Sequence, residues 1–232
     1  MPVMASNTVP ITRHLPCPGT YMCGLTWAGG LLWHSDQEAG KIFAIESAAG
    51  RMVRQFDCPQ VRADLAYHDG LLCQVGGRPK RLLLLDPQTG EVVDTKQVPP
   101  PSGRLCGVEM GPEGMWMCLR KPAVVQLRDF ETMTVRREHA VEGNPSGLTY
   151  VNGAVVYSEF EAGTVRTVDA ITGRPLGTAR VEGHPTGITW DGYQIWYCDF
   201  QARAIKSIRL DDVLNGAYEI TPDGPAKKGE PT

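Results

Sequence analysis

Gly24-Leu-Thr-Trp27 returns as Gly147-Leu-Thr-Tyr150 and again as Gly187-Ile-Thr-Trp190. Each copy is followed by a Gly or Asp-Gly turn and a short apolar run, and then by an acid: Asp36, Glu159 and Asp199. Two weaker copies lie between them, around Asp64 in Ala63-Asp64-Leu65-Ala66-Tyr67 and around Gly107 in Cys106-Gly107-Val108-Glu109-Met110. The openings at 24, 64, 107, 147 and 187 are spaced by 40, 43, 40 and 40 residues. A period near 40 is a signature of a stacked or radial repeat.

Within each unit the apolar runs are too short for globular helices. Leu31–Ser35, Leu71–Val75, Ala154–Ser158 and Gln194–Cys198 are bounded by turn residues and predict strands. Third strands are predicted at Lys41–Ile45, Arg81–Leu85, Thr164–Val168 and Ala204–Ile208, and fourth strands at Met52–Asp57, Val92–Val98, Val135–Val141 and Leu176–Glu182. An acid-to-Gly turn sits between them at Glu46–Gly50, Asp86–Gly90 and Asp169–Gly173, the acid accepting backbone N–H bonds and the Gly supplying positive φ. Asp129 is followed at the same offset by Met133, so that turn is expected to differ. Four strands in 40 residues form the blade of a β-propeller. The expected fold is all-β: one five-bladed domain over residues 1–221, with four antiparallel strands per blade, and a disordered tail at 222–232. Blade five lacks an obvious fourth strand. The N-terminal stretch Thr8–Leu15 is expected to supply it in preference to Ala217–Thr221, because closing the ring removes an exposed edge.

Composition narrows the function. Lys plus Arg total 23 and Asp plus Glu 26, a formal net charge of −3, so no general field draws the chain to nucleic acid or an anionic membrane. No run reaches eighteen apolar residues, and residues 1–19 hold no export-signal core. Seven cysteines without a CxxC pair read as reduced thiols, and the expected location is cytoplasmic. Walker, GxGxxG, HExxH and GxSxG signatures are absent.

The segment His184-Pro-Thr-Gly-Ile-Thr-Trp-Asp-Gly-Tyr-Gln-Ile-Trp-Tyr-Cys-Asp199, with Asn144-Pro-Ser-Gly-Leu-Thr-Tyr150, resembles the bacterial propellers of the glutaminyl cyclotransferase-like, gluconolactonase-like and virginiamycin B lyase-like group. Glutaminyl cyclotransferases of this type are similar in blade number and length. The resemblance implies a small-molecule enzyme performing cyclotransfer, elimination or lactone hydrolysis. Cyclotransferase-like propellers carry Glu directly before the opening Gly; here those positions are Cys23, Ala63, Cys106, Ser146 and Thr186. The gluconolactonase metal-ligand Asp matches Asp199, and by repeat Asp36 and Glu159. The lyase His-x-Glu pair is approached by His34-Ser35-Asp36. The resemblance thus points to a relative with a rebuilt site.

Equivalent positions on five blades form rings about the axis, and a residue that breaks its ring calls for a reason beyond the fold. Asp64 replaces the opening Gly. Glu109 and Ala66 replace the Thr of Thr26, Thr149 and Thr189. The ring closing the second strand reads Asp36, Gly76, Arg120, Glu159 and Asp199. If its acids converge, they raise one another's pKa and form an acid/base set, or bind a divalent cation through oxygen; if not, each caps the following loop. The candidate catalytic residues are therefore Asp36, Glu109, Glu159, Asp199 and His34. The candidate substrate-binding residues are Asp64, Arg104, Arg120, Cys23, Cys106 and His184, and Asp36, Glu159 and Asp199 would hold a metal if there is one. Arg62, Arg78, Lys80, Arg81, Arg104, Arg120 and Lys121 cluster in blades two and three, which suits a small polar or zwitterionic ligand. The alternative is a non-catalytic ligand-binding or protein-interaction propeller.

Overall fold

The computed structural model of the chain describes residues 8–99, 104–214, 220–221 and 224–225. Strand β1 (Arg13–Pro16) comes first in the chain. Blade one is β2 (Met22–Ala28), β3 (Leu31–Asp36), β4 (Lys41–Glu46) and β5 (Met52–Asp57). Blade two is β6 (Val61–His68), β7 (Leu71–Gly76), β8 (Arg81–Leu85) and β9 (Val92–Gln97). Blade three is β10 (Arg104–Gly111), β11 (Gly114–Arg120), β12 (Val124–Arg128) and β13 (Val135–Ala140). Blade four is β14 (Pro145–Val151), β15 (Ala154–Glu159), β16 (Thr164–Asp169) and β17 (Pro175–Arg180). Blade five is β18 (Pro185–Trp190), β19 (Gln194–Asp199) and β20 (Ala204–Arg209), with β1 as its outer strand.

The ring closes as the edge argument requires: β1 runs antiparallel to β20, with Arg13 opposite Ser207 and Pro16 opposite Ala204. The polar stretch after β20 begins with the short helix α1 (Leu210–Leu214), which buries Val213 and Leu214. Among the described residues no helix is long and apolar enough to cross a membrane. The tail expected at 222–232 lies outside the described residues except for 224–225.

Among the described residues the apolar side chains form five wedges, each between two neighbouring blades. Trp33, for example, packs from blade one against Val61, Leu65 and Leu83 of blade two, and Trp196 from blade five against Leu25 and Leu32 of blade one. The second strand of each blade therefore offers apolar residues to both faces and reads as a nearly continuous hydrophobic run.

The hairpin turns show what the acid-to-Gly spacing does. Asp86 Oδ1 accepts N–H bonds from Gln88 and Thr89, and Gly90 sits at φ 78°. The turn at Asp129 was expected to differ and does not. Asp129 accepts from Glu131 and Thr132 in the same way, and Met133 itself takes the left-handed conformation at φ 57°. Its side chain is buried in the wedge between blades two and three, and that burial offsets the backbone cost.

Candidate functional site

Every blade opens with a register irregularity in its first strand: between Met22 and Gly24, Val61 and Leu65, Leu105 and Gly107, Pro145 and Leu148, and Pro185 and Ile188. A bulge breaks the in–out alternation and re-aims a side chain. Here it turns Cys23, Ala63, Cys106, Ser146 and Thr186 into the lining of one axial cavity of about 290 Å³. The Gly after the bulge is needed because neighbouring first strands almost touch. A Cβ on Gly24 would lie 2.5 Å from the Leu65 nitrogen.

The cavity wall is chemically divided. Arg62, Lys80, Arg104 and Arg120 line it from blades two and three, and Tyr21, Phe160 and Phe200 line it opposite, with Glu161 beside them. Tyr21 and Phe160 both meet Phe200 edge-on, at 5.0 and 5.6 Å between ring centroids. Arg104 and Arg120 face each other directly across the β10–β11 ladder, a like-charge pairing that costs stability unless an anion offsets it. Arg120 is oriented by Nε donating to the Pro145 carbonyl (2.6 Å) and Nη2 to Ser146 Oγ. Lys80 Nζ donates to the Leu105 carbonyl, and burial, with Arg104 and Arg120 nearby, lowers its pKa. Arg62 Nε is buried with no hydrogen-bond partner among the described residues. None of the four cations forms an ion pair among the described residues.

The two cavity thiols are in the protonated form at neutral pH. Burial pushes Cys23 up to about 12, and burial also raises Cys106 despite Arg120, Lys80 and Arg104. Neither is therefore set up as a thiolate nucleophile.

The acids closing the second strands do not meet. Asp36 is fully buried and accepts N–H bonds from Thr20, Tyr21 and Ala39 at 2.6–2.7 Å. Glu159 accepts from the Asn144 amide, Thr164 Oγ1 and Arg166 Nε. Asp199 accepts from the amides of His184, Gln201 and Ala202 and from Lys206 Nζ at 2.6 Å. Each entry loop wraps its acid so closely that a Cβ on Gly183, at φ 82°, would overlap the Asp199 carboxylate. These acids are spent on loop capping, none lines the cavity, and they do not make a cation site. Among the described residues no group of three or more His, Cys, Asp or Glu side chains is placed to hold a metal ion.

The pattern-breaking acids sit elsewhere on the axis. Asp64 is fully buried, accepting N–H bonds from Leu25 of blade one (3.2 Å) and Val108 of blade three (3.3 Å). It ties three first strands together across the middle of the ring. Burial raises its pKa well above the usual carboxylate range in spite of those bonds. Glu109 accepts from the Met110 amide and Thr149 Oγ1, and burial pushes it up to about 8. Neither lines the cavity. His184 is held by the Phe160 carbonyl at Nδ1 (2.9 Å) behind the aromatic arc, and His34 is fully buried between blades five and one.

Of the proposed residues, the cavity thus unites Cys23, Cys106, Arg104 and Arg120, and adds Arg62 and Lys80 from the same cationic cluster. The aromatic arc and Glu161 were not anticipated. The signal was present: Phe160 and Phe200 both directly follow the second-strand acid, at one repeat position.

No protein-family model matches the chain, and no curated protein sequence does. Solved structures do. Glutaminyl cyclase from Myxococcus xanthus superposes with a TM-score of 0.75 at 15% identity, over 89% of this chain and 97% of that one. A calcium-binding regucalcin from Agrobacterium tumefaciens gives 0.61 at 13% identity, over 87% and 95%. A streptogramin B lyase gives 0.50 at 17% identity, over 86% and 70%. At such identities the likeness is one of architecture. The chain is a five-bladed β-propeller similar in fold to these proteins, and its cavity is lined by its own set of residues.

Proposed function

We propose that the axial cavity takes a small molecule bearing a carboxylate or similar anionic group, with the cationic arc holding the anion and the aromatic arc holding its apolar part. The carrying observation is the meeting of four cations, none with a carboxylate partner among the described residues, on one cavity. Arg104 and Arg120, opposed across the ladder, can share one carboxylate as planar donors. Glu161, on the far side, suits an ammonium group, so a zwitterion fits both walls. In an enzyme of the cyclotransferase, lyase or lactonase kind, Glu161 would act as the base and the cationic arc would stabilise developing negative charge. The Myxococcus xanthus neighbour, a glutaminyl cyclase, supports including glutaminyl compounds among the first substrates tried. All seven cysteines are free thiols, which accords with a reducing, cytoplasmic setting.

The test is calorimetric titration with free amino acids, simple dicarboxylates and a glutaminyl dipeptide, with product analysis by mass spectrometry. Arg104 is exposed and makes no bond the fold depends on, so Arg104→Ala should lower affinity about tenfold or more without unfolding the protein. If no carboxylate binds, or if Arg104→Ala binds equally well, the reading fails. A binding propeller without chemistry is favoured by one observation: among the described residues Glu161 is the only carboxylate in the lining, beside two protonated thiols. Binding without turnover would select it.

A further inference from the structure

A second cluster lies away from the cavity, at the seam where the ring closes. Cys17 directly follows β1 between Pro16 and Pro18, and its amide donates to the Arg203 carbonyl at 3.2 Å. His34, from β3 of blade one, is completely buried and stacked on Phe43. Its Nε2 lies 3.1 Å from the Pro18 carbonyl oxygen, and its Nδ1 lies 3.4 Å from the Gly24 carbonyl oxygen and 3.9 Å from Cys198 Sγ in β19. Cys17 Sγ reaches the same Pro18 carbonyl, at 3.6 Å, and Cys17 packs against the apolar wedge that holds Cys198.

A neutral imidazole has one N–H, yet both ring nitrogens of His34 face carbonyl oxygens. The doubly protonated ring satisfies both, and a buried cation needs an anion beside it. Two neighbours are able to supply one: the Asp36 carboxylate, held by three backbone amides, and Cys17. Burial alone would raise the Cys17 thiol, but the Cys198 hydrogen bond and the charge and hydrogen bond of His34 outweigh it and lower its pKa, while that of His34 is raised. Cys198 is fully buried and its pKa is raised by burial; Cys17 is only half-buried. An outside reagent therefore meets a thiolate first, with a thiol behind it.

We infer that Cys17 is a modification site for peroxide-class oxidants, with Cys198 as its resolving thiol and His34 as the proton carrier between them. The Cys17 sulfur attacks one peroxide oxygen and the O–O bond breaks. The departing hydroxide takes a proton from the His34 imidazolium, leaving Cys17 sulfenic acid, neutral His34 and water. His34 then accepts the Cys198 proton, the Cys198 sulfur attacks Cys17, and the S–O bond breaks. The second hydroxide leaves as water with that proton. One peroxide is reduced to two waters and two thiols become one disulfide. The disulfide fastens the closing strand to the blade it completes.

Cys23 is the internal control: it is also half-buried, but burial pushes it up to about 12. In the reduced full-length protein at pH 7, timed iodoacetamide alkylation with peptide mass mapping should label Cys17 at least tenfold faster than Cys23. Hydrogen peroxide should yield a linked Cys17–Cys198 peptide pair that dithiothreitol reverses, and the oxidised protein should melt at higher temperature. In Cys198→Ser, dimedone should trap Cys17 sulfenic acid, and His34→Gln should slow Cys17 alkylation tenfold. The wild-type measurements decide the matter even if either variant fails to fold. Equal labelling of Cys17 and Cys23 overturns the inference. So does peroxide treatment that leaves Cys17 reduced, or that pairs it with a second molecule in place of Cys198.

Discussion

Replacing Glu109 by Gln tests the axial electrostatics without touching the cavity. Glu109 goes from 4.5 in an ordinary setting to about 8 in the folded protein, burial outweighing the bonds from Met110 and Thr149. The folded state then binds a proton more tightly than the unfolded one, so the stability that Glu109 contributes in acid is lost as pH rises from about 4.5 through about 8. At about 1.4 kcal/mol per pH unit the ceiling is about 5 kcal/mol. Glu109 keeps part of its surface to solvent, which screens the charge, so roughly 2 kcal/mol is expected between pH 5 and pH 8. Gln keeps the shape and an acceptor for Met110 but carries no titrating proton. Urea unfolding of both proteins should show the wild type weakening relative to Glu109→Gln by that amount over this range. Parallel pH profiles would refute the account, because they would mean that Glu109 ionises in the folded protein as freely as in the unfolded chain.

Other consequences are as direct. Lys206 is 1% exposed and serves both Asp199 (2.6 Å) and Glu182 (2.8 Å); Lys206→Met should cost about 3 kcal/mol in urea unfolding at pH 7, since a capping carboxylate is left buried without its cation. Gly187→Ala would set a Cβ 2.5 Å from the Leu25 nitrogen at the seam of blades five and one, and should cost about 3 kcal/mol or prevent folding, as read by circular dichroism. Asp64→Gly restores the repeat but strands the amides of Leu25 and Val108 in the middle of the ring; a loss of about 2 kcal/mol is expected by denaturant titration. Ligand affinity at the cavity should fall steeply between 50 and 500 mM NaCl if its guanidinium groups carry the binding.

The blades were legible because each repeats a turn chemistry and an apolar rhythm that backbone geometry alone demands. Ring closure was legible for the same reason, since an unpaired β20 edge would be exposed. The site was only half legible. Asp36, Glu159 and Asp199 recur because each blade needs its entry loop capped, so the feature that drew notice to them was structural. Arg104 and Arg120 are sixteen positions apart, and their opposition depends on a register that the bulge at Leu105/Gly107 shifts. Which way Cys23 and Cys106 point depends on the same kind of bulge, where alternation fails. The Met133 turn shows the converse: an apolar residue can adopt a Gly conformation where a neighbouring blade buries it.

The pairing of β1 with β20 places residue 13 opposite residue 207. A chain emerging from the ribosome must therefore hold its first strand idle until nearly two hundred further residues have appeared. Blades one to four can form in turn from neighbours close in sequence, but the circle is joined last and over the longest separation. Cutting and rejoining the chain so that the blade-five outer strand follows β20 directly would make that final step local.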